Sequence, residues 1–455
     1  MRIFKIVQSV YQWTFHSQRA FFVQNNIHAN ICRFYAVRRG GQLFTMKLDT
    51  PEFHQLFTPE LTQLKSLFDK HGFELRIAGG AVRDLLMSKL PHDIDFATTA
   101  TPAQMKEMFD KEEIRMINNK GEKHGTITAR LNDKENFEVT TLRVDVVTDG
   151  RHAQVEFTRD WQLDANRRDL TINAMFLGFD GTLYDYFNGK EDLKARRLRF
   201  VGCAAERICE DYLRILRYFR FYGRIAKDPN SHEADVVQAI KENVTGLAGI
   251  SGERLWMEVR KIVCGRFNGP IMHTMLSLGI GPYLGLPDKV NEKEYERVCE
   301  AASPLSPQPV AFMTALLYKE DQVYALNKRL KMSNEEVKTS LFILTHRADP
   351  IPTPPLRYCM DLHNDTVARE PKVKDRISEL LKYRGEAALL AEFTTWTPPR
   401  FPITGHDLFS KSVPKGPVFA KTLNDLRALW KESNYTLTKE DLLDRLEEVV
   451  SRHKS

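Results

Sequence analysis

The spacing of hydrophobic positions changes once along the chain, near residue 167. Before that point the pattern predicts one helix over residues 53–70, a second helix after the Thr101-Pro102 cap, and strands over residues 75–78, 93–96, 124–131 and 137–144. After it, strand signals almost vanish and long helical stretches run to the end. The pattern therefore predicts an α+β protein, with a small head of mixed sheet and helices followed by an elongated all-helical remainder.

Composition is that of a globular chain, with 42% hydrophobic and 28% charged residues in 455. That length allows two to four domains with hydrophobic cores of their own. No run approaches the roughly 18 apolar residues of a membrane-spanning helix, so membrane insertion is not expected. Proline-rich breaks near residues 303–309 and 349–355 divide the helical part into subdomains.

The net charge of +6 comes from the beginning of the chain. The first 48 residues contain seven Lys and Arg residues and no Asp or Glu, and the rest is close to neutral. An acid-free, arginine-bearing, aromatic-rich start is typical of a mitochondrial presequence, here residues 1–45, and a basic nucleic-acid-binding arm is the alternative. We therefore predict a mitochondrial matrix protein, with Met46 as an internal start for a shorter cytosolic or nuclear form.

The first candidate site combines a glycine pair with a pair of carboxylates. Gly79 and Gly80 stand where a predicted strand turns into a helix, where backbone N–H groups can approach a polyphosphate, and Arg83 adds a mobile positive charge. Asp93 and Asp95 are two apart in a predicted strand, so both face the same way and can bind a divalent cation. This pairing suits phosphoryl transfer, although a lone pair of aspartates in a strand often only faces solvent.

Glu138, on the next predicted strand, is either a third catalytic carboxylate beside Asp93 and Asp95 or an exposed strand residue without a function. Residues 167–174 form the second candidate site. If they are helical, Asp169 and Asn173 share a face one turn apart with Arg168 beside them, a face that can bind a ribose and a triphosphate. The same residues also fit an ordinary solvated helix start.

The third candidate site is a possible base-reading pair. Asp211 and Arg214 are three apart in a predicted helix and so project side by side. A carboxylate only accepts and a guanidinium only donates, which complements the pairing edges of cytosine and adenine and opposes those of guanine and uracil. An intrahelical ion pair is the simpler explanation. Residues 194–224, with Arg217 among nine bases against three acids, have the charge of a nucleotide or RNA channel.

These three motifs, in this order, resemble the signatures of class II CCA-adding enzymes, the eukaryotic and bacterial tRNA nucleotidyltransferases, and are most similar to the animal mitochondrial form. The helix starting at Gly252-Glu253-Arg254 and the segment at Gly405-His406-Asp407 resemble later elements of that family. The resemblance covers roughly residues 47–454. It implies template-independent addition and repair of the 3′-terminal CCA of tRNA from CTP and ATP, with release of pyrophosphate, by two-metal nucleotidyl transfer.

The resemblance also implies a fold and a division of roles. It implies a nucleotidyltransferase head of the DNA polymerase β type at 46–185, a neck at 186–265, a body at 266–350 and a tail contacting tRNA at 351–455. Asp93 and Asp95 are implied as ligands of Mg²⁺ or Mn²⁺. Asp211 and Arg214 are implied as the residues that read the base.

Two other functions fit part of this pattern. A bacterial-type poly(A) polymerase shares the head and much of the arginine-rich helix, and an RNA-binding module without catalysis would keep the fold. The retained acidic residues speak against the second alternative, because a silent protein has no physical reason to keep like charges together. A monomer and a homodimer fit the sequence equally well, and so does a partial enzyme that adds only C or only A.

Overall fold

The computed structural model describes residues 46–117, 119–148 and 153–453. The predicted presequence, residues 1–45, lies outside the described residues. The chain divides into two compact units, one made of residues 46–147 and 154–195 and the other mainly of residues 196–453. The first unit is a mixed sheet with helices and the second is helical, which confirms the predicted α+β class. None of the helices in the described ranges is both long and apolar enough to cross a membrane.

The head is built on a seven-stranded sheet in the order β3-β4-β5-β2-β1-β8-β9, with a separate two-stranded ribbon of β6 and β7. Only β2 and β5 pair in parallel among the registers resolved in this sheet, and the other neighbours are antiparallel. The strands are Leu75–Ala78 (β1), Asp95–Thr98 (β2), Arg115–Ile117 (β3), Thr126–Leu131 (β4), Glu135–Thr141 (β5), Arg143–Thr148 (β6), Ala153–Phe157 (β7), Phe176–Leu177 (β8) and Leu183–Tyr184 (β9).

Helices of the head pack on this sheet, and four of the six given below begin at a side-chain cap. Thr101 accepts a bond from the Gln104 backbone while the Gln104 side chain bonds back, the reciprocal capping box that the sequence predicts. Phe68 and Phe109 meet edge to face in the core, with ring centroids 6.0 Å apart. The helices are Pro51–His54 (α1), Pro59–Lys70 (α2), Gly80–Leu86 (α3), Pro102–Lys111 (α4), Trp161–Asn166 (α5) and Gly189–Lys194 (α6).

The first described residues close one edge of the head. Lys47 forms a β-bridge with Thr182, the Leu48 N–H donates to the Gly181 carbonyl at 2.8 Å, and the Leu183 N–H donates to the Met46 carbonyl at 2.8 Å. At the other end of this unit, the Thr171 hydroxyl donates to Asp192 in α6 at 2.7 Å. The head unit therefore extends to residue 195, ten residues beyond the predicted end of the head at 185.

Four predicted elements have different bounds in the structure, and the simplest case is the strand over 124–131, which begins only at Thr126. The single helix over residues 53–70 is two helices, because Thr58 caps a new one and its proline neighbour starts it. The strand over 137–144 is two strands separated by buried Leu142, whose N–H bonds the Thr98 carbonyl at 2.9 Å. The strand over 93–96 begins only at Asp95, because Asp93 lies in a bend before it.

The second unit is helical throughout its described length. It contains two further hydrophobic clusters, one formed within residues 342–393 and one within residues 403–450. The predicted boundaries of neck, body and tail inside this unit stay a prediction. The helices are Ala204–Glu210 (α7), Arg214–Ile225 (α8), Ala234–Asn243 (α9), Gly252–Val263 (α10), Asn268–Ser277 (α11), Glu292–Ala302 (α12), Pro309–Ala315 (α13), Glu320–Leu330 (α14), Asn334–His346 (α15), Leu356–Thr366 (α16), Val373–Arg384 (α17), Ala387–Thr395 (α18), Gly405–Ser410 (α19), Pro417–Glu432 (α20), Lys439–Asp444 (α21) and Leu446–Ser451 (α22).

Candidate active site

A glycine turn joins β1 to α3. Gly79 has φ of 64° and ψ of −116°, a conformation that only glycine adopts without strain, and its N–H donates to the Met175 carbonyl at 3.1 Å. A Cβ atom at Gly79 would lie 2.9 Å from Nη1 of Arg168, whereas one at Gly80 would make only ordinary contact, 3.7 Å from Arg83. Gly79 therefore lets the turn approach Arg168 closely, and Gly80 begins α3.

The predicted carboxylates lie at the start of β2. Asp95 is its first residue and Asp93 stands two residues earlier, with a side chain that is 89% exposed and lies 3.1 Å from His92 Nδ1. Burial raises the pKa of Asp95, Arg168 partly offsets this, and Asp93 raises it further. The two carboxylates are therefore close enough to repel each other, although Asp93 is not in the strand that was predicted to align them.

Glu138 lies beside Asp95 because their strands pair in parallel with these two residues in register. Paired residues of neighbouring strands face the same side of a sheet, so the register supports the predicted neighbourhood. Within the described residues, however, no three acidic, histidine or cysteine side chains form a group able to hold a metal ion. Asp93, Asp95 and Glu138 are each exposed, and we call them the acidic edge; a divalent cation there would have to take its other ligands from water and phosphate oxygens.

A buried polar network lies behind the glycine turn. Asn173 accepts from Arg83 Nη1 at 2.6 Å and donates to Asp169 at 3.2 Å, and Arg168 Nη1 donates to the Asn173 carbonyl at 3.2 Å. The predicted neighbourhood of Arg168, Asp169 and Asn173 is therefore present. The predicted helix is not, because α5 ends at Asn166 and only a 3₁₀ turn over Thr171–Asn173 follows.

Arg83 is not the mobile positive charge that the sequence predicts. Its side chain is only 4% exposed, and it donates to Asp84 at 3.0 and 3.1 Å as well as to Asn173. A guanidinium held by two neighbours cannot swing freely toward a ligand. Because α3 starts beside the sheet, the residue three positions after Gly80 points back into the head rather than outward. Arg83 therefore orients Asn173.

Asp164 is a residue of this network that the sequence interpretation missed. It is 1% exposed and accepts from Arg167 at 2.8 Å, from Arg168 at 3.1 and 3.2 Å and from the Arg143 N–H at 3.1 Å. Burial raises the pKa of Asp164, but Arg168 and Arg167 outweigh it and hold the pKa below its usual value. Its spacing of three and four residues before the two arginines was a readable signal of this pairing.

The predicted base-reading residues lie in the second unit, at a break between two helices. Helix α7 ends at Glu210, Asp211 has an extended backbone with φ of −153°, and α8 begins at Arg214. Asp211 accepts from the Leu213 N–H at 3.1 Å and from Arg254 at 2.7 Å. The expectation of one continuous helix through Asp211 and Arg214 is therefore wrong.

Arg214 instead pairs with Glu210 of α7 and donates to the Arg207 carbonyl at 3.0 Å. Further along α8, Arg217 lies over the Phe221 ring at 5.7 Å, and Arg220 donates to buried Glu258 of α10 at 2.9 Å. Helix α10, which starts at Gly252, thus braces this segment through both Arg254 and Glu258. The aromatic residues among these arginines are mostly core, including fully buried Tyr218, Phe219 and Tyr222.

Two family profiles match parts of the chain, and Asp211 and Arg214 lie between the two matched ranges. A profile described as "Poly A polymerase head domain" matches residues 75–199, and one described as "Probable RNA and SrmB- binding site of polymerase A" matches residues 232–287. The first contains the glycine turn, the carboxylates and the buried polar network.

Relatives that match over most of the chain identify its family more closely. The chain is 54% identical over 411 residues to CCA tRNA nucleotidyltransferase 1, mitochondrial, of Homo sapiens, which covers 90% of this chain and 94% of that protein. It is also 54% identical over 406 residues to the Danio rerio protein of the same name, covering 89% and 94%. The crystal structure of the Bacillus stearothermophilus CCA-adding enzyme in complex with CTP matches with a TM-score of 0.72 at 27% identity, over 89% of this chain and 99% of that one. The chain therefore belongs to the family of the CCA-adding enzymes, the CCA tRNA nucleotidyltransferases.

Proposed function

We propose that this enzyme adds and repairs the 3′-terminal CCA of tRNA in mitochondria, using CTP and ATP and releasing pyrophosphate. The observation that carries the proposal is the acidic edge at Asp93 and Asp95 in the same unit as the Gly79 turn and Arg168. Nucleotidyl transfer needs a cation site and a polyphosphate site near each other. The 54% identity to mitochondrial relatives with the CCA activity in their names supports the substrate and the compartment.

In the head, we assign the reacting phosphates to the glycine turn and the carboxylates. Asp93 and Asp95 would hold Mg²⁺ or Mn²⁺, with Glu138 facing the same site from β5. A bound divalent ion supplies neutralisation of the charge on the phosphate oxygens. The N–H groups at the start of α3 and the Arg168 guanidinium bind the triphosphate. Asp169 and Asn173, both already hydrogen-bonded, present a preorganised polar surface to the ribose.

In the second unit, we assign base choice to Asp211 and Arg214, with Arg217 one turn further along α8. The contact that supports this proposal is the 2.7 Å bond from Arg254 of α10, which orients the Asp211 carboxylate just before the start of α8. Asp211 would accept from the exocyclic amino group of C or A, and Arg214 would donate to the neighbouring ring nitrogen. The protein would then select the nucleotide without a nucleic-acid template.

The decisive experiment supplies each nucleotide separately to tRNAs that end before the first C, after C and after CC. A complete CCA-adding enzyme extends the first two with CTP and the third with ATP, and then stops. A poly(A) polymerase would add little from CTP and would continue with ATP. Extension from only one nucleotide would indicate a partial enzyme, and no extension would leave only RNA binding.

Removing one carboxylate of the acidic edge tests the assigned chemistry. In the variant Asp95→Asn, we expect kcat/KM for both CTP and ATP to fall at least about 100-fold with tRNA affinity kept, because a metal ligand serves the chemical step. Asp133→Asn is the matched control, since Asp133 is 79% exposed in a turn of the same unit. Equal losses of catalysis and of tRNA binding would point to a folding defect instead.

A shorter form starting at Met46 remains part of the proposal. Met46 packs against the head core and its carbonyl accepts from Leu183, so a chain beginning there would keep the contacts that close the head. Such a form would lack the acid-free leader. We expect it to stay in the cytosol or nucleus, and immunoblots of cell fractions with a Met46→Ala chain as control test this.

A further inference from the structure

A polar cavity of about 410 Å³ lies inside the second unit, where the beginning of α12 meets the ends of α15 and α17. None of its charged side chains belongs to the site described above. The charged and polar lining residues that matter here are Asn291, Glu294, Arg297, Arg347, Arg384 and Glu386. Three guanidinium groups from three helices therefore face one cavity together with two carboxylates.

Arg297 and Glu294 form an ion pair within the lining of the cavity. Arg297 donates to both oxygens of Glu294 at 2.8 and 2.9 Å, and the Tyr383 hydroxyl donates to Glu294 at 2.7 Å. Burial raises the pKa of Glu294, but the bonds from Arg297 and Tyr383 outweigh it and hold the pKa below its ordinary value. Glu294 is therefore ionised at neutral pH, and its charge is neutralised by Arg297.

Among the described residues, Arg347 and Arg384 donate fewer hydrogen bonds than Arg297 does. Arg384 donates through Nη1 to the Asp349 carbonyl at 2.8 Å. Arg347 bonds the Tyr383 side chain and also interacts with the Glu294 carboxylate, and its buried Nη1 atom has no hydrogen-bond partner among the described residues. Glu386 is the remaining carboxylate of the lining. The whole lining, with three arginines against Glu294 and Glu386, carries one net positive charge.

We propose that this cavity binds a phosphoryl group. Arg297, Arg347 and Arg384 reach the cavity from three different segments of the chain, and the planar fork of arginine is well suited to binding an oxyanion. The volume is within the range of small-molecule sites and admits a free polyphosphate or one phosphate of an RNA backbone.

The test measures two phosphate sources on the full-length protein. Inorganic pyrophosphate is titrated by calorimetry with EDTA present, and a tRNA lacking CCA is titrated by fluorescence anisotropy. In Arg347→Gln, we expect at least a fivefold loss of affinity for one of the two. Loss for pyrophosphate identifies a free polyphosphate site, and loss for tRNA alone identifies a backbone phosphate site. Any pyrophosphate bound in the head is common to all variants.

Two further variants make the result specific. Glu386→Gln removes the opposing carboxylate and should tighten the same ligand several-fold, a gain that a misfolded protein cannot give. Arg369→Gln, an exposed arginine outside the cavity, should bind like the wild type. Unchanged affinities in both Arg347→Gln and Glu386→Gln would overturn the proposal, as would an equal loss in Arg369→Gln. Nucleotide incorporation is assayed separately, so failure of the roles assigned to Asp93 and Asp95 would show there and not here.

Discussion

Gly79 is the residue on which the geometry of the head site depends most directly. Its backbone conformation excludes other residues, and its missing Cβ leaves the space that Arg168 occupies. In Gly79→Ala, we expect kcat/KM for CTP and ATP to fall at least about tenfold, because the alanine either displaces Arg168 or distorts the turn. The unfolding free energy should also fall, by about 1–3 kcal/mol, from the backbone strain alone.

Gly72→Ala is the control for this substitution. Gly72 also has a positive φ, of 74°, but a Cβ there meets nothing within 4 Å. The control should lose stability from strain and keep kcat/KM within about twofold. If both variants lost activity equally, the close approach to Arg168 would not matter for catalysis. Steady-state kinetics and thermal melts of the two proteins give the comparison.

Asp211 carries the prediction about base choice. If it accepts from the amino group of C or A, Asp211→Ala should let UTP or GTP compete, with discrimination reduced by roughly 5- to 150-fold from about 1–3 kcal/mol of lost hydrogen bonding. Arg254→Ala should give a weaker change in the same direction, because it removes the 2.7 Å bond that orients Asp211. Misincorporation is measured with each nucleotide alone and in competition. Full preference for C and A in both variants would place specificity elsewhere.

Some site residues could be predicted from the sequence, and others depend on contacts that the sequence does not show. Asp93, Asp95 and Glu138 could be proposed because carboxylates in or beside a strand pattern are visible in the sequence, and the register pairs Asp95 with Glu138. The role of Arg83 was not visible, because burial depends on which way α3 runs from the sheet. Asp164 was not predicted because the sequence interpretation considered Arg168 as a triphosphate-binding group or as part of a solvated helix start, and not as a partner of a buried carboxylate.

At the scale of elements, local sequence signals predict helices that begin with a strong cap. They do not predict short or interrupted elements. The box at Thr101 marks the start of α4 correctly because capping is local. The break at Asp211 was missed because nothing in residues 210–214 disfavours a helix, and contacts with α10 decide it. Strands β8 and β9 have two residues each, too few to show a periodicity, and they are defined by the pairing of β8 with β1 and of β9 with β8.

Helix α8 contributes a prediction about pH. His232 stacks on Tyr222 at 3.8 Å and its Nδ1 lies 2.9 Å from the Tyr218 hydroxyl. Burial lowers the pKa of His232 to about 4. The unfolded chain takes up this proton near pH 6.5, so stability is complete above that value and falls as the pH drops toward 4. After allowance for the partial exposure of the ring, the loss is about 1–2 kcal/mol.

Thermal melts at pH 7.5 and pH 5.0 test this dependence. The wild type should lose more Tm between the two than His232→Phe, which keeps a ring on Tyr222 but cannot titrate. His273→Phe is the control, because His273 is 68% exposed and should leave the wild-type dependence in place. An identical pH response in the wild type and His232→Phe would exclude His232 as its source.

At the scale of the whole molecule, charge distribution predicts how the protein is delivered. The first 48 residues hold seven basic and no acidic residues. Residues 1–45 fused to a fluorescent protein should therefore direct it to mitochondria, and the leader should be cleaved near Ala36. Mass spectrometry of the recovered reporter can show the cleavage position. The same fusion with Arg2, Lys5 and Arg19 changed to Glu is the control and should remain in the cytosol. Diffuse signal from the unchanged leader would contradict the prediction.

The β-bridge between Lys47 and Thr182 can form only after the ribosome has synthesised both residues. Lys47 is made about 135 residues before Thr182, so at about 5–20 residues per second the ribosome needs roughly 7–27 s to supply the partner. During that interval the edge of β1 that β8 later covers has no strand to pair with. A pause in elongation between residues 98 and 176 would prolong the time in which a nascent chain can aggregate through that edge. Slow codons or stalled ribosomes within this stretch should therefore reduce the yield of folded protein more than equal delays after residue 195.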